Sequence, residues 1–136
     1  MDFLAFSLSG LDEFLSYFGL SLLFVALFVA IYVRVTPYHE FALIREGNAA
    51  AAASLSGTLL GFILPLAASI VNSVHPYDMA VWAGIALVTQ LAVYGAVRLV
   101  IPDIGRHMPE GKAASGIFLG AVSLGAGMLN AASMTY

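Results

Sequence analysis

Four long apolar runs divide the chain. The first, Phe14–Val33, reads "FLSYFGLSLLFVALFVAIYV" without a charged residue, and Ala49–Val71, Met79–Val97 and Ala113–Met134 follow it. Each run is about 19 to 23 residues, enough at about 1.5 Å per residue to cross a hydrocarbon core of about 30 Å with some tilt. The pattern predicts an all-α membrane protein with four transmembrane helices in one domain, residues 1–136. Asp2, Asp12 and Glu13 flank the first run where a cleaved signal would carry basic residues, and the run exceeds a typical signal core. It is expected to remain as a helix.

The pattern repeats. Laying Phe18–Asn72 on Trp82–Tyr136 without gaps, at an offset of 64 residues, gives about fifteen identities. They include Arg34/Arg98, Glu46/Glu110, Gly47/Gly111, Ala49-Ala50/Ala113-Ala114, Gly61/Gly125 and Ala67-Ala68-Ser69/Ala131-Ala132-Ser133. A shared period of this length is the mark of an internal repeat. We read a tandem duplication of a two-helix unit, repeat one at about 14–72 and repeat two at about 78–136. Two spans per unit give both units the same orientation, so these are parallel repeats with a pseudo-twofold axis along the membrane normal.

Composition agrees with the runs. Hydrophobic residues make up 61% and charged residues 10% of the chain, and the mean hydropathy is +0.95. Soluble domains carry about a quarter charged residues. With no cysteine, disulfides, thiolate metal sites and a thiol nucleophile are absent together. A net charge of −3 without a basic patch gives no reason to expect a nucleic-acid partner. All five basic residues lie in two loops: Arg34 and Arg45, then Arg98, Arg106 and Lys112. The positive-inside rule puts those loops in the cytoplasm and both termini in the periplasm.

Small residues concentrate in the second and fourth runs. Gly57/Gly61, Gly116/Gly120, Ala121/Gly125 and Ser123/Gly127 are small-xxx-small pairs, which let backbones approach where lipid provides no hydrophobic drive. Gly57, Gly61, Gly116, Gly120, Gly125 and Gly127 are the helix-packing candidates. Glycine on more than one face of the last helix points to a homo-oligomer. The Glu-Gly step before each of these helices has two readings. Glu46 and Glu110 either favour the positive helix N-terminus or form paired carboxylates at the mouth of a pathway. Before the first step, "TPYHEFALIRE" reads as a short interfacial helix with Thr36 as N-cap and Pro37 at its first position. The matching "IPDIGRHMPE" is expected to be broken by Gly105 and Pro109.

No run contains a charged residue, which removes the usual mark of coupled transport. Gln90 in the third helix and Asn130 in the fourth are the polar candidates, as interhelical hydrogen bonds worth about 0.6 kcal/mol or as pore lining. Pro65 should kink the second helix and free a carbonyl. His39, His75 and His107 fall in three loops with neither metal spacing nor a Ser-His-acid set. No catalytic, cofactor or metal site is expected, and we do not read the chain as an enzyme.

"TPYHEFALIREGNAAAAASLSGTLLGFILPLA", with the closing "LGAGMLNAASMTY", resembles the YjfL-like family of small bacterial inner-membrane proteins, domain of unknown function 350. The likeness runs from about Phe18 onward. It implies a duplicated two-helix unit in the cytoplasmic membrane and no particular activity, with an association to envelope-stress proteins. Two functions stay open. One is an oligomeric, non-coupled pore or channel for a small ion or solute. The other is a membrane scaffold or anchoring subunit of an envelope-associated complex, whose basic loops bind a cytoplasmic or membrane protein partner or anionic lipid of the bilayer.

Overall fold

The computed structural model describes residues 2–134, and these form helices joined by short turns. In chain order they are α1 (Asp2–Ser7), α2 (Leu11–Val35), α3 (Glu40–Arg45), α4 (Ala49–Asn72), α5 (Pro76–Val100), α6 (Ile104–His107) and α7 (Ala113–Ser133). Four stretches are long and apolar enough to cross a membrane: Phe3–Val35, Ala49–Asn72, Pro76–Val100 and Ala113–Ser133. Thr135 and Tyr136, the end of the second repeat unit, lie outside the described residues.

Local chemistry sets the helix ends. The Asn48 side chain accepts the Ala51 N–H at 2.9 Å and so caps α4, while its amide donates to the Met108 carbonyl at 2.7 Å and ties the two loops together. Pro76 opens α5, three residues before the apolar run begins, because its missing N–H is no loss in a first turn. Thr36 is the extended residue that closes α2, and Pro37 cannot continue that helix. Thr36 and Pro37 therefore end one helix rather than starting the next, and α3 starts only at Glu40 with His39 as its N-cap. The second loop is less broken than expected, since α6 runs through Gly105 and stops before Pro109.

The α4 and α7 helices pack backbone against backbone. A Cβ built on Gly57 would lie 2.2 Å from the Gly120 carbonyl oxygen, and one on Gly61 2.3 Å from that of Ser123. From the other side, a Cβ on Gly116 would meet the Ala50 oxygen at 2.2 Å, one on Gly120 the Ala53 oxygen at 2.4 Å, and one on Gly127 the Gly61 oxygen at 2.0 Å. Numbers rise together along both helices, so the pair is parallel. At each of these five glycines a Cα–H points at a carbonyl of the neighbour, a contact worth about 0.5–1 kcal/mol. Gly125 differs, with nothing within 4 Å of the same position. In the 64-residue register, Gly116, Gly120, Ser123 and Gly127 match Ala52, Ser56, Leu59 and Ile63, which are not the α4 residues met at this contact.

Against this pair α5 lays Met79, Ala83, Ala86, Gln90, Tyr94 and Val97, all buried. The α2 helix stays outside. Its buried residues are Phe28 and Tyr32. The Phe28 ring stacks on Phe62 at 4.2 Å, and Tyr32 meets Tyr94 edge-on at 6.0 Å. Phe14, Phe18, Leu22, Leu23 and Leu27 point away from the protein, the arrangement of a helix bathed in lipid.

The glycines should therefore divide into two groups. Gly61→Ala and Gly127→Ala, whose new methyls meet the neighbour's backbone first (and, at Gly61, the Gln90 amide as well), should each destabilise the protein by about 1–3 kcal/mol. Gly125→Ala should be neutral to within about 0.5 kcal/mol. Reversible unfolding in mixed micelles checks the ranking, and equal effects at Gly61 and Gly125 would contradict it.

Candidate functional site

At the loop end of the bundle the chain buries a carboxylate. A bend over Thr36–Tyr38, followed by His39 in an extended conformation, carries Tyr38 inward and turns α3 so that its first residue, Glu40, lies beneath the end of α2. Glu40 is 1% exposed. The Thr36 hydroxyl sits 2.9 Å from both of its carboxylate oxygens and donates to one at a time. Around it stand Tyr32, Tyr38 and Tyr94, each close enough to feel its charge. The Tyr32 hydroxyl is 3.5 Å from that of Thr58, whereas the buried hydroxyls of Tyr38 and Tyr94 have no hydrogen-bond partner of ordinary geometry. Burial pushes the Glu40 carboxyl above the usual carboxylate range; its own backbone N–H, the Thr36 hydroxyl and His39 pull it back in part. Burial raises the Tyr38 phenol as well. A cleft of about 400 Å³ opens beside the carboxylate, lined by Arg34, Thr36, Pro37, His39 and Glu40 among others.

Sequence reasoning missed Glu40. The signal lay in the amphipathic pattern: Glu40, Leu43 and Ile44 are spaced i, i+3, i+4 and share the inward face of α3. A carboxylate in that row is the exception to explain. The same point in the second loop makes the exception plainer. Glu40 lies seven residues before Gly47, and Ile104 lies seven before Gly111 at the start of α6, fully buried. At the matching distance before its left-handed glycine, the second loop carries an apolar side chain.

Further along, Gln90 is buried against Gly61 and donates its amide to the Ser123 carbonyl at 3.0 Å. Its own oxygen and the Ser123 hydroxyl have no partner. Asn130, half-buried, reaches the Thr89 hydroxyl at 3.4 Å, a long contact. Pro65 is buried inside α4, and the carbonyl it leaves without an amide partner belongs to Gly61. That oxygen faces the Cα of Gly127, so Gly127 meets it and no opening to Asn130 is needed to satisfy it.

Glu46 and Glu110 are not in the first turns of α4 and α7, which contain no acidic residue. They close the preceding turns. Gly47 has φ +85° and Gly111 φ +72°. The Gly47 N–H donates to Ile44 and the Asn48 N–H to Leu43, both at 2.9 Å; the Gly111 N–H donates to Met108 and the Lys112 N–H to His107, both at 3.0 Å. These are two Schellman caps, in which glycine takes the left-handed position. The glutamates precede glycine because a helix is ending there, which is a correction to reading them as helix-start residues. Both are exposed at the end of the bundle that holds α3 and α6, and Glu110 pairs at the surface with Lys112 at 3.6 Å and Arg106 at 3.8 Å. His107 lies 2.7 Å from the buried Ser115 hydroxyl. Among the described residues no group of three His, Asp or Glu could hold a metal ion.

The family model described as "Domain of Unknown Function (DUF350)" matches residues 5–134. The chain belongs to this family. It is 40% identical over 129 residues to the inner membrane protein YjfL of Escherichia coli (strain K12), covering 95% of this chain and 98% of that protein. The protein of the same name in Escherichia coli O157:H7 matches to the same extent. No solved structure gives a significant match.

The caps yield a contrast between neighbours in sequence. Gly47→Ala and Gly111→Ala, forced to hold a left-handed backbone, should each cost about 1 kcal/mol. Glu46→Gln and Glu110→Gln should stay within about 0.5 kcal/mol. Chemical unfolding of the four variants measures both, and a larger loss at the glutamates would return them to a structural role.

Proposed function

We propose that the protein gives a small ion or solute a non-coupled path across the inner membrane and works as a homo-oligomer. One observation carries the reading: Gln90 and Ser123 hold unspent hydrogen-bonding capacity inside the apolar bundle. Spare polar groups at membrane depth are expensive and mark pathways. The path does not run between α4 and α7, whose backbones touch. It follows the α5 side instead, from Glu40 and Tyr94 past Gln90 and Ser123 to Thr89 and Asn130, with the exposed Glu46 and Glu110 at its mouth. An inner-membrane location draws on the relatives' names. The basic residues flanking α3 and α6 favour that end as the cytoplasmic one, with both termini in the periplasm.

The tandem duplication is part of this proposal. Supporting it are the 64-residue identities, the short helices beginning at Glu40 and Ile104, and the left-handed glycines at Gly47 and Gly111. Equal orientation of the units favours an axis along the membrane normal, although α4 and α7 meet through different faces. The unmatched face supports self-association. Ala114, Ile117, Ala121 and Gly125 stand in register with Ala50, Ala53, Gly57 and Gly61. On α7 the first three of them are exposed and Gly125 touches nothing. A second copy could use that face as α7 uses α4.

The anchoring reading is favoured by a separate observation: α2 is exposed along most of its length, a free face for a partner's helix. Ion flux into proteoliposomes separates the two. The native protein should conduct above empty liposomes, and Gln90→Leu, which removes the seam's central amide, should lower the flux ten-fold or more. No flux above background overturns the conducting role and leaves the anchoring one. Orientation is checked separately. A reporter active only in the cytoplasm should be silent when fused after Tyr136, and activity there would invert the topology.

A further inference from the structure

We propose that Glu40, with Thr36, Tyr38 and Tyr94 around it, is a proton-binding site at the α3 end of the bundle, filled and emptied through the cleft beside it. On the proposed duplication, Ile104 takes the matching position before Gly111 and is fully buried, so that position does not call for a carboxylate. A buried carboxylate without a structural need is a chemical device. Its surroundings are those of a group that alternates between two states. As a carboxylate it only accepts, and the Thr36 hydroxyl supplies one donor within 2.9 Å of both oxygens. As a carboxyl it also donates, and the buried hydroxyls of Tyr38 and Tyr94, close to one another and near enough to feel its charge, are acceptors in its surroundings.

Charge argues for a proton over a metal cation. Arg34 at the end of α2 and His39 before α3 line the cleft, and Arg98 on α5 lies beside Tyr94. Tyr32 on α2, Tyr38 and Tyr94 are the remaining titratable groups that face Glu40. A metal ion would add positive charge near the guanidinium groups of Arg34 and Arg98. A proton removes the one buried negative charge without enlarging the site. The step balances simply: hydronium in the cleft gives one proton to a carboxylate oxygen, one O–H bond forms, and water leaves. The site stands on its own geometry and does not rest on the conduction reading, although it lies at one end of that seam.

The folded chain binds this proton more tightly than the unfolded one, whose carboxyl has the ordinary value near 4.5. Stability from the bound proton is then complete below about that pH and is lost as pH rises through the folded value. The test uses the purified full chain in lipid. Infrared difference spectra across a pH step should show one carboxyl that keeps its proton after the exposed carboxylates have lost theirs. That band should vanish in both Glu40→Gln and Glu40→Ile. Glu40→Ile, which copies the side chain that Ile104 supplies in the second loop, should fold and lose the decline in stability with rising pH that the native protein shows. Absence of the band in the native protein, its persistence in Glu40→Ile, or equal pH slopes for the two would overturn the proposal. Proteoliposome flux is scored separately: a titrating Glu40 without flux sinks conduction alone, and flux without a titrating Glu40 sinks the site alone.

Discussion

Everything in this bundle depends on how closely two backbones can approach. Lipid tails offer apolar side chains the same environment that a protein interior does, so burying them gives a membrane helix little reason to choose one neighbour over another. Close contact supplies the choice. Five Cα–H groups, on Gly57, Gly61, Gly116, Gly120 and Gly127, face carbonyl oxygens across the α4/α7 seam. Any side chain beyond hydrogen at these points would hold the helices apart and weaken every other contact between them. The remaining helices are arranged on this pair. The seam's edge forms a shelf where Gln90 rests on Gly61 and reaches Ser123, and α5 is held there by a hydrogen bond as well as by packing.

Pro65 shows how such a seam absorbs a defect. Proline removes an amide from the α4 ladder and would leave the Gly61 carbonyl bare in a low-dielectric interior. Gly127 arrives at that oxygen with its Cα. The weak donor is a poor replacement for an N–H, but it is available because the helices already touch. Irregular backbone is thus tolerated where the two helices are nearest.

How much of this could be read from sequence differs by element. The spans were legible because each is a long uncharged run. The small residues of α4 and α7 were legible because their spacing matches a helical face. The glutamate-glycine step was visible as a repeated motif and misplaced by one turn. Acidic residues are common where helices start, and only backbone dihedrals reveal that Gly47 and Gly111 end the helix before. Glu40 was hidden for a different reason. Among Tyr38, His39 and Arg45 it looked like one more polar residue of a short interfacial helix. Its burial arises from the bend that follows α2, where Pro37 stops that helix and the chain turns back under it. Which face of α7 meets α4 was also illegible, since glycines lie on two sides of that helix and sequence gives no means to rank them.

The seam also sets a schedule for synthesis. The α4 groove at Gly57 and Gly61 leaves the ribosome some 60 residues before the α7 glycines that fill it, an interval of about 3 to 12 seconds at about 5–20 residues per second. Until then the groove faces lipid, or another protein in the same membrane. The helix that completes it is made later than the groove, so the nascent chain passes through a stage in which its most selective surface is open and unclaimed. A finished copy nearby offers a competing α7 during that stage. The local density of ribosomes making this protein therefore enters the outcome of folding, alongside the sequence itself.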